Sequence, residues 1–211
     1  MDSDAGATLI RLGPGDRAPD VSLPAADREG VVSLMDYRDK QPVLLALFRG
    51  LSCPFCRRQM SELALSAERL EMCGIATLAV VATAPERTRL YYRFHPPRFR
   101  VAADPDLITH RAYGLPRVPR TPAVRQAVEA AAAQMARDLG IATVPGQASA
   151  AIQRFDGFEP VESDWQEEAR DRDLAIVNGQ FLIDRHGIVR WTHREQILGE
   201  RLHEAQLLAA L

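Results

Sequence analysis

The sequence predicts an α/β protein in which helices flank a central mixed sheet. Short uninterrupted apolar runs, of the kind buried on both faces of a sheet, alternate with segments of helical periodicity in the first half of the chain. Near the C-terminus, two β-rich runs separated by a tight polar turn predict a hairpin. The chain has 211 residues, enough for one well-packed core, so we expect a single domain over residues 1–211.

The first elements place a strand directly before a helix. Prolines spaced through residues 12–24 predict an extended segment without helix. Six apolar residues, Val43–Phe48, follow Pro42 and predict the first central strand. After a short turn, apolar residues recur at intervals of three and four and share one helix face: Met60, Leu63, Ala67 and Leu70.

The middle of the chain continues the alternation. A second buried strand is predicted over 75–82, a short strand over 99–102, and a helix over 107–113 that Gly114 closes. A further helix is expected after residues 83–86, whose Thr-Ala-Pro-Glu sequence has the spacing of a capping box. The predicted order up to this point is β-α-β-α-β-α.

Residues 115–177 change in composition and are expected to form a helical insertion. Thr121 and Pro122 supply an N-cap and a first position for a helix that ends at Gly140. A second helix is expected to begin at Asp164. The fold then resumes with the predicted hairpin, whose strands are expected at 180–184 and 187–192, and ends with a helix from Leu198.

The composition argues against nucleic acid and membranes as partners. Twenty-six basic and 28 acidic residues give a formal net charge of −2, which supplies no basic field for nucleic acid or anionic lipid. No apolar run approaches the roughly 20 residues that span a bilayer, and the first residues lack the pattern of a secretory signal. We therefore expect a cytoplasmic protein that acts on small molecules or proteins.

The sharpest chemical signal is the motif Cys53-Pro54-Phe55-Cys56, at the junction of the predicted strand and helix. A thiol at a helix N-terminus meets unpaired N–H groups and the positive end of the helix dipole, which favour the thiolate. Cys53 is thus predicted to be nucleophilic, and Cys56 lies one turn later, within disulfide-bonding reach. Because the ring that such a disulfide closes is too short to stabilise the fold much, the pair indicates redox chemistry.

The residues around the motif are assigned from their positions in the predicted elements. Arg49, in the strand-to-helix turn, is the better candidate for lowering the pKa of a thiol, whereas Arg57 and Arg58 also fit a solvated helix face. Cys73, near the end of the helix, is expected to be a small buried hydrophobic residue rather than a resolving thiol.

A metal site fits the sequence less well than a redox pair. Zinc requires four ligands, and the sequence contains neither a second C-x-x-C motif nor histidines at ligand spacing. His186 and His193 approach the dithiol only if the hairpin folds beside it. We therefore expect no metal ligands.

Four segments carry a family resemblance: residues 15–20, 48–56, 103–106, and 181–184 with Gly187. In them the chain resembles the peroxiredoxin-like branch of the alkyl hydroperoxide reductase and thiol-specific antioxidant (AhpC/TSA) family, within the thioredoxin-like superfamily. The resemblance implies a thioredoxin-like fold and reduction of peroxides or protein disulfides by thiols, without a metal or organic cofactor. It also implies thioredoxin, glutaredoxin or glutathione as the reductant, and a homodimer.

Three features depart from the patterns of related proteins. Peroxiredoxins carry Thr or Ser three residues before the peroxidatic cysteine; if Cys56 takes that cysteine's place, the hydroxyl position is Cys53. The arginine that they place three residues before the Phe181 position is here Asn178, which supplies no cation to a peroxide oxygen. The cis-proline that thioredoxins place here is absent as well. The chain thus combines a glutaredoxin-like dithiol with a peroxiredoxin-like frame.

The leading hypothesis is a thiol oxidoreductase in which Cys53 attacks a disulfide or a peroxide and Cys56 resolves the product. In the register that places Cys56 at the peroxidatic position, the two roles reverse. Two other classes stay open. One is a module that delivers copper or another metal, which would add a distant histidine to the cysteine pair. The other is a redox-inert interaction domain in which residues 115–177 do the work.

Overall fold

The computed structural model describes residues 11–119, 121–155 and 174–195, and most of this length alternates between strands and helices. The strands, in chain order, are β1 (Ser22–Pro24), β2 (Val31–Ser33), β3 (Val43–Phe48), β4 (Ala76–Val81), β5 (Arg100–Ala103), β6 (Arg117–Pro119), β7 (Leu174–Ile176), β8 (Gly179–Ile183) and β9 (Val189–Arg194). The helices are α1 (Pro54–Met72), α2 (Pro85–Phe94), α3 (Ile108–Ala112), α4 (Pro122–Asp138) and α5 (Ala148–Phe155), with a 3₁₀ turn at Leu34–Asp36.

The central sheet has five strands in the spatial order β5-β4-β3-β8-β9. Strands β3, β4 and β5 are parallel, whereas β8 is antiparallel to both β3 and β9. In this register Leu47 pairs with Gly179, and Gly179 pairs with Arg194. The start of β8 and the end of β9 therefore lie beside the end of β3, where the dithiol begins. The predicted mixed sheet flanked by helices is confirmed.

Side chains of β3 alternate between two hydrophobic clusters on opposite faces of the sheet. Leu45 and Leu47 pack with the N-terminal segment and Tyr113 on one face. Leu44 and Phe48 pack against α1 on the other. All six residues of β3 are buried, as the apolar run predicted, and the predicted face of α1 is buried as well: Met60, Leu63, Ala67 and Leu70. Each fully buried leucine contributes about 1.5–3 kcal/mol to this packing.

The N-terminal segment contains no helix over residues 12–24, as predicted, but it is extended only after a turn at residues 13–16. Its last three residues form β1, which pairs with β2, a strand that the sequence did not indicate. The segment reaches the central sheet through isolated bridges from Arg17 to Ile188 and from Ala25 to Ala102. It thus packs on one face of the central sheet.

The capping box predicted at residues 83–86 is wrong. Ala84 is the N-cap of α2, Pro85 takes the first helical position, and no side chain caps the helix. The Thr83 hydroxyl instead accepts a hydrogen bond from the Leu51 N–H at 3.0 Å. Thr83 therefore holds the loop that precedes the dithiol.

The segment predicted as an insertion contains β6, α4, α5 and β7 in its described part. Helix α4 begins as predicted, with Thr121 as the N-cap, and it ends before Gly140, whose φ is +69°. Helix α5 was not predicted. The helices expected from Asp164 and from Leu198 lie outside the described residues. Among the described helices, none is long and apolar enough to cross a bilayer.

Asp104, at the end of β5, anchors the start of α3. Its buried carboxylate accepts hydrogen bonds from the N–H groups of Ile108 (3.0 Å) and Thr109 (2.7 Å) and lies 3.9 Å from His110 Nδ1. Burial opposes ionisation, but the interactions with His110, Thr109 and Ile108 outweigh it and hold the pKa of Asp104 below its ordinary value.

Replacing Asp104 with Ala should destabilise the fold by about 1–3 kcal/mol at neutral pH, because two backbone N–H groups lose a charged acceptor. The stabilisation is complete above the ordinary aspartate pKa of about 4 and is lost as the pH falls through the lower folded-state pKa. Urea unfolding from neutral to acidic pH measures both effects. Asp106→Asn, at an exposed position in the same turn, is the control, and equal midpoints for Asp104→Ala and wild type would contradict the assignment.

Candidate active site

The two cysteines lie at the start of α1, shortly after the end of β3, as the sequence predicted. Cys53 is the N-cap of α1 and has extended backbone angles (φ −89°, ψ 116°), while Pro54 occupies the first helical position. Cys56 follows in the first turn. A proline suits this position because its missing N–H would be unpaired there in any case.

Gly50 allows the chain to turn sharply before Cys53. Its φ is +145°, a backbone conformation that L side chains rarely adopt. A Cβ atom at this position would lie 3.0 Å from Thr83 Oγ1 and 3.2 Å from the Ala82 carbonyl oxygen. Any side chain at residue 50 would therefore displace the loop that carries the dithiol.

The two sulfurs occupy different environments. Cys53 is half-buried and Cys56 is completely buried, and both are free thiols. A hydrogen bond from the Cys56 thiol, helped by the Arg49 charge and the Cys56 backbone N–H, lowers the pKa of Cys53 to about 5 despite its burial. Burial, together with the hydrogen bond to Cys53 and its charge, raises the pKa of Cys56 well above its usual value. At neutral pH the pair is therefore one thiolate and one thiol.

Arg49 is the cation beside both sulfurs. Its side chain is only 13% exposed, and its Nη2 lies 3.7 Å from Oε1 of Glu195. Burial alone would lower the pKa of Arg49, but Cys53, Cys56 and Glu195 raise it, so the guanidinium stays charged. Within the described part of the chain, its Nε and Nη2 atoms have no hydrogen-bond partner. The guanidinium thus keeps a buried positive charge close to the dithiol.

Asn178 connects the dithiol to the hairpin. Its Oδ1 accepts a hydrogen bond from the Arg49 N–H at 3.0 Å, and its Nδ2 donates to Gln59 Oε1 at 2.5 Å. Both side-chain atoms lie 3.6 Å from the Cys56 sulfur. Position 178 supplies no cation, as the sequence indicates. The positive charge beside the two sulfurs is that of Arg49, which directly follows the neighbouring strand β3.

Sequence reasoning missed Glu195, a buried carboxylate at the end of the hairpin. It accepts a hydrogen bond from the Asn178 N–H at 3.0 Å, and its own N–H donates to the Asn178 carbonyl at 3.0 Å. Its Oε1 forms the ion pair with Arg49. The available signal was weak: Glu195 is the first acidic residue after Asp184, but its distance from the dithiol depends on how β8 pairs with β3.

Arg57 does not lie on a solvated helix face, one of the two positions that the sequence left open for it, and the expected burial of Cys73 is wrong. Arg57 is 4% exposed and donates to the Leu51 carbonyl at 2.7 Å, so it supports the loop before the dithiol. Arg58 is partly buried and pairs with Glu62 at 3.1 Å. Cys73 is an exposed C-cap of α1. The length of that helix places it roughly 30 Å from Cys53, too far to resolve an intermediate there.

The histidines considered for a metal site make other contacts. His193 stacks on Trp191 with ring centroids 6.1 Å apart, and His186 Nδ1 lies 3.7 Å from Asp39 Oδ1 at the exposed turn of the hairpin. Across residues 11–119, 121–155 and 174–195, no three His, Cys, Asp or Glu side chains are grouped so that they could hold a metal ion. The described geometry thus gives no support to the metal-delivery alternative.

Comparison with known families identifies the group to which the chain belongs. The model of the AhpC/TSA family matches residues 14–192, most of the length of the chain. This chain is a member of the AhpC/TSA family. The resemblance noted in the sequence, and the thioredoxin-like superfamily in which it placed the chain, are confirmed.

Individual relatives of this AhpC/TSA protein are distant. A Mycobacterium tuberculosis protein provisionally named a peroxiredoxin, found in two strains, is 30% identical over 104 residues. That match spans 49% of this chain and 65% of the relative, which is less than two thirds of its length.

Solved structures of low sequence identity share the fold. Peroxidoxin BcpB from M. tuberculosis has a TM-score of 0.61 at 11% identity, over 95% of this chain and 96% of its own. A reduced 2-Cys peroxiredoxin from Plasmodium vivax has a TM-score of 0.59 at 13% identity, over 94% and 80%. A Chlorobium tepidum protein provisionally described as the thiol:disulfide interchange protein DsbE has a TM-score of 0.51 at 22% identity, over 94% and 98%.

Replacing Arg49 with Met should raise the pKa of Cys53, because the substitution removes the positive charge that favours its thiolate. If the pKa of Cys53 rises by one unit, the rate of iodoacetamide alkylation at pH values below that pKa falls about tenfold. The measurement is the pH dependence of Cys53 alkylation, followed by mass spectrometry in a Cys73→Ser background.

Two comparisons make this alkylation experiment decisive. The parent protein should show a midpoint at about pH 5. Arg58→Met removes a nearby arginine of α1, which pairs with Glu62. This variant should leave the midpoint unchanged. A midpoint near pH 5 in folded Arg49→Met would show that Arg49 does not stabilise the thiolate.

Proposed function

We propose that this AhpC/TSA protein is a thiol-dependent oxidoreductase that uses the Cys53–Cys56 dithiol to reduce disulfides and hydroperoxides. The observation that carries the proposal is the half-buried Cys53 sulfur, which a buried Cys56 thiol and the Arg49 guanidinium favour as a thiolate. Membership of the AhpC/TSA family and the name of the mycobacterial relative support the same chemistry.

With a disulfide substrate, the Cys53 thiolate attacks one sulfur and the substrate S–S bond breaks. The released thiolate takes a proton from water, and a mixed disulfide remains on Cys53. The Cys56 thiol then loses its proton and attacks the Cys53 sulfur, which releases the second substrate thiol. The protein dithiol has lost two electrons and become a disulfide, and the substrate has become two thiols.

With a hydroperoxide, the same thiolate attacks the terminal oxygen and the O–O bond breaks. The leaving alkoxide is protonated to an alcohol, and Cys53 becomes a sulfenic acid. The Cys56 thiol condenses with it and releases water. The positive charge of Arg49 beside the sulfurs favours the negative charge that develops on the leaving oxygen in the first step.

The two cysteines have distinct roles in this proposal. Cys56 is completely buried with a raised pKa, so Cys53 attacks and Cys56 resolves. Once Cys53 has reacted, its negative charge is gone, and one of the effects that raises the pKa of Cys56 disappears.

The disulfide is then reduced by thioredoxin, glutaredoxin or glutathione attacking Cys53, which fits a cytoplasmic setting rich in thiols. From the family resemblance we also propose a homodimer.

Single-cysteine variants test the proposal and the order of attack. Cys56→Ser should abolish turnover but leave a trapped adduct on Cys53: a mixed disulfide after oxidised glutathione, and a sulfenic acid after a hydroperoxide. Cys53→Ser should form neither adduct, because its remaining active-site thiol is buried and protonated. The measurement is intact-protein mass spectrometry in the Cys73→Ser background, with dimedone to label sulfenic acid.

Each result of this trapping experiment decides something. A sulfenic acid on Cys56 in Cys53→Ser would show that the reversed order is correct. No adduct on either cysteine, in variants whose unfolding midpoints match wild type, would reject the thiol oxidoreductase and favour an interaction domain.

A further inference from the structure

Helices α4 and α5 lie against the N-terminal end of α1, directly beside the dithiol. The Phe55 ring of the motif is buried, and it packs into a cluster formed by these two helices: Ala132, Met135, Ala136, Ala148 and Ile152. Cys53 contacts the edge of this cluster and also the cluster under the sheet. The reactive sulfur therefore lies between the main core and α4–α5.

A hydrogen bond attaches α5 to the loop that carries Cys53. Gln153 Nε2 donates to the Ser52 carbonyl oxygen at 3.1 Å. Ser52 immediately precedes Cys53, so this carbonyl belongs to the backbone beside the reactive sulfur. An incoming backbone N–H therefore meets an acceptor that α5 already engages through one of its two lone pairs.

Glu129 joins the two helices into one unit. Its carboxylate, on α4, accepts hydrogen bonds from the Ala148 N–H, from the Ser149 N–H at 3.3 Å and from the Ser149 hydroxyl at 2.7 Å. These groups lie at the start of α5, where N–H groups have no partner within the helix. We call residues 122–155, which contain α4 and α5, the cap.

We propose, on the basis of the function proposed above, that the cap sets the substrate class and makes Cys53 selective for low-molecular-weight oxidants. A small disulfide or hydroperoxide needs only a path to one sulfur atom. The two Cα atoms of a disulfide in a folded protein lie only about 4–7 Å apart. Protein backbone therefore accompanies the S–S bond on both sides. That backbone would have to occupy the space beside Ser52 and Phe55 that α5 and α4 fill. The cap thus excludes protein disulfides by occupying their docking surface. For the same reason, glutathione is favoured over thioredoxin and glutaredoxin among the proposed reductants.

The test compares a small and a protein disulfide in wild type and in a variant with a loosened cap. Glu129→Ala combined with Gln153→Ala removes the bond between the helices and the bond to the loop, and leaves both cysteines and Arg49 intact. Turnover is measured with hydroxyethyl disulfide and with insulin, under one thiol reductant. The double variant should reduce insulin at least about fivefold faster than wild type, while its rate with hydroxyethyl disulfide changes less than about twofold.

Two further measurements guard against simple unfolding of the cap. Gln134→Ala, on the exposed side of α4, is the matched control and should leave the ratio of the two rates unchanged. Gln153→Ala alone removes a single hydrogen bond and should shift the ratio in the same direction as the double variant. Alkylation of Cys53 by a bulky polyethylene-glycol maleimide should accelerate relative to iodoacetamide in the same two variants.

The outcomes separate this proposal from the one on which it rests. If wild type reduces neither substrate and traps no adduct on Cys53, the oxidoreductase function itself fails. If wild type reduces insulin as fast as hydroxyethyl disulfide, the dithiol is active and the cap does not select. The cap proposal is also overturned if the loosened variants keep the wild-type ratios of turnover and alkylation, or if both substrates accelerate equally.

Discussion

The closeness of the buried Cys56 thiol to the half-buried Cys53 sulfur is the constraint on which the proposed chemistry depends. It requires the two sulfurs to lie within one helical turn, which places Cys53 at the N-cap and Cys56 in the first turn of α1. The loop before them is held by the Thr83 hydroxyl on the Leu51 N–H and by Arg57 on the Leu51 carbonyl. These contacts pair both backbone groups of one residue, so the loop that presents Cys53 has little freedom to move.

The site combines a positive charge and a carboxylate from two strands that are far apart in the chain. Arg49 follows β3 and Glu195 follows β9, and the pairing of β8 with both strands brings them together. Asn178 lies between them: its side chain accepts a hydrogen bond from the Arg49 N–H, and its backbone bonds to both the N–H and the carboxylate of Glu195. Where the family resemblance places an arginine at position 178, this chain has Asn178, and Arg49, directly after β3, supplies a positive charge beside the sulfurs.

What the sequence could predict was local. The apolar run of β3, the spacing on α1 and the C-x-x-C motif are short-range signals, and each of these elements was placed correctly. Glu195, the contacts of Asn178 and the burial of Arg57 depend on strand register and loop packing, which no short pattern specifies. Cys73 was predicted to be buried from the apolar character of its helix, but it is the C-cap and lies at the exposed end. The error at residues 83–86 has the same origin, because a tertiary contact uses the hydroxyl that the local pattern assigned to a cap.

The unequal proton affinities of the two sulfurs also determine how the redox equilibrium responds to acidity. Above about pH 5 Cys53 has already lost its proton, whereas Cys56 keeps its own to well beyond neutrality. Formation of the disulfide then releases two electrons but only one proton. The midpoint potential consequently changes by about 30 mV per pH unit over this range, half the slope of a couple that exchanges equal numbers of both. A fall in pH would therefore alter the reducing power of this pair only half as much as that of an ordinary dithiol.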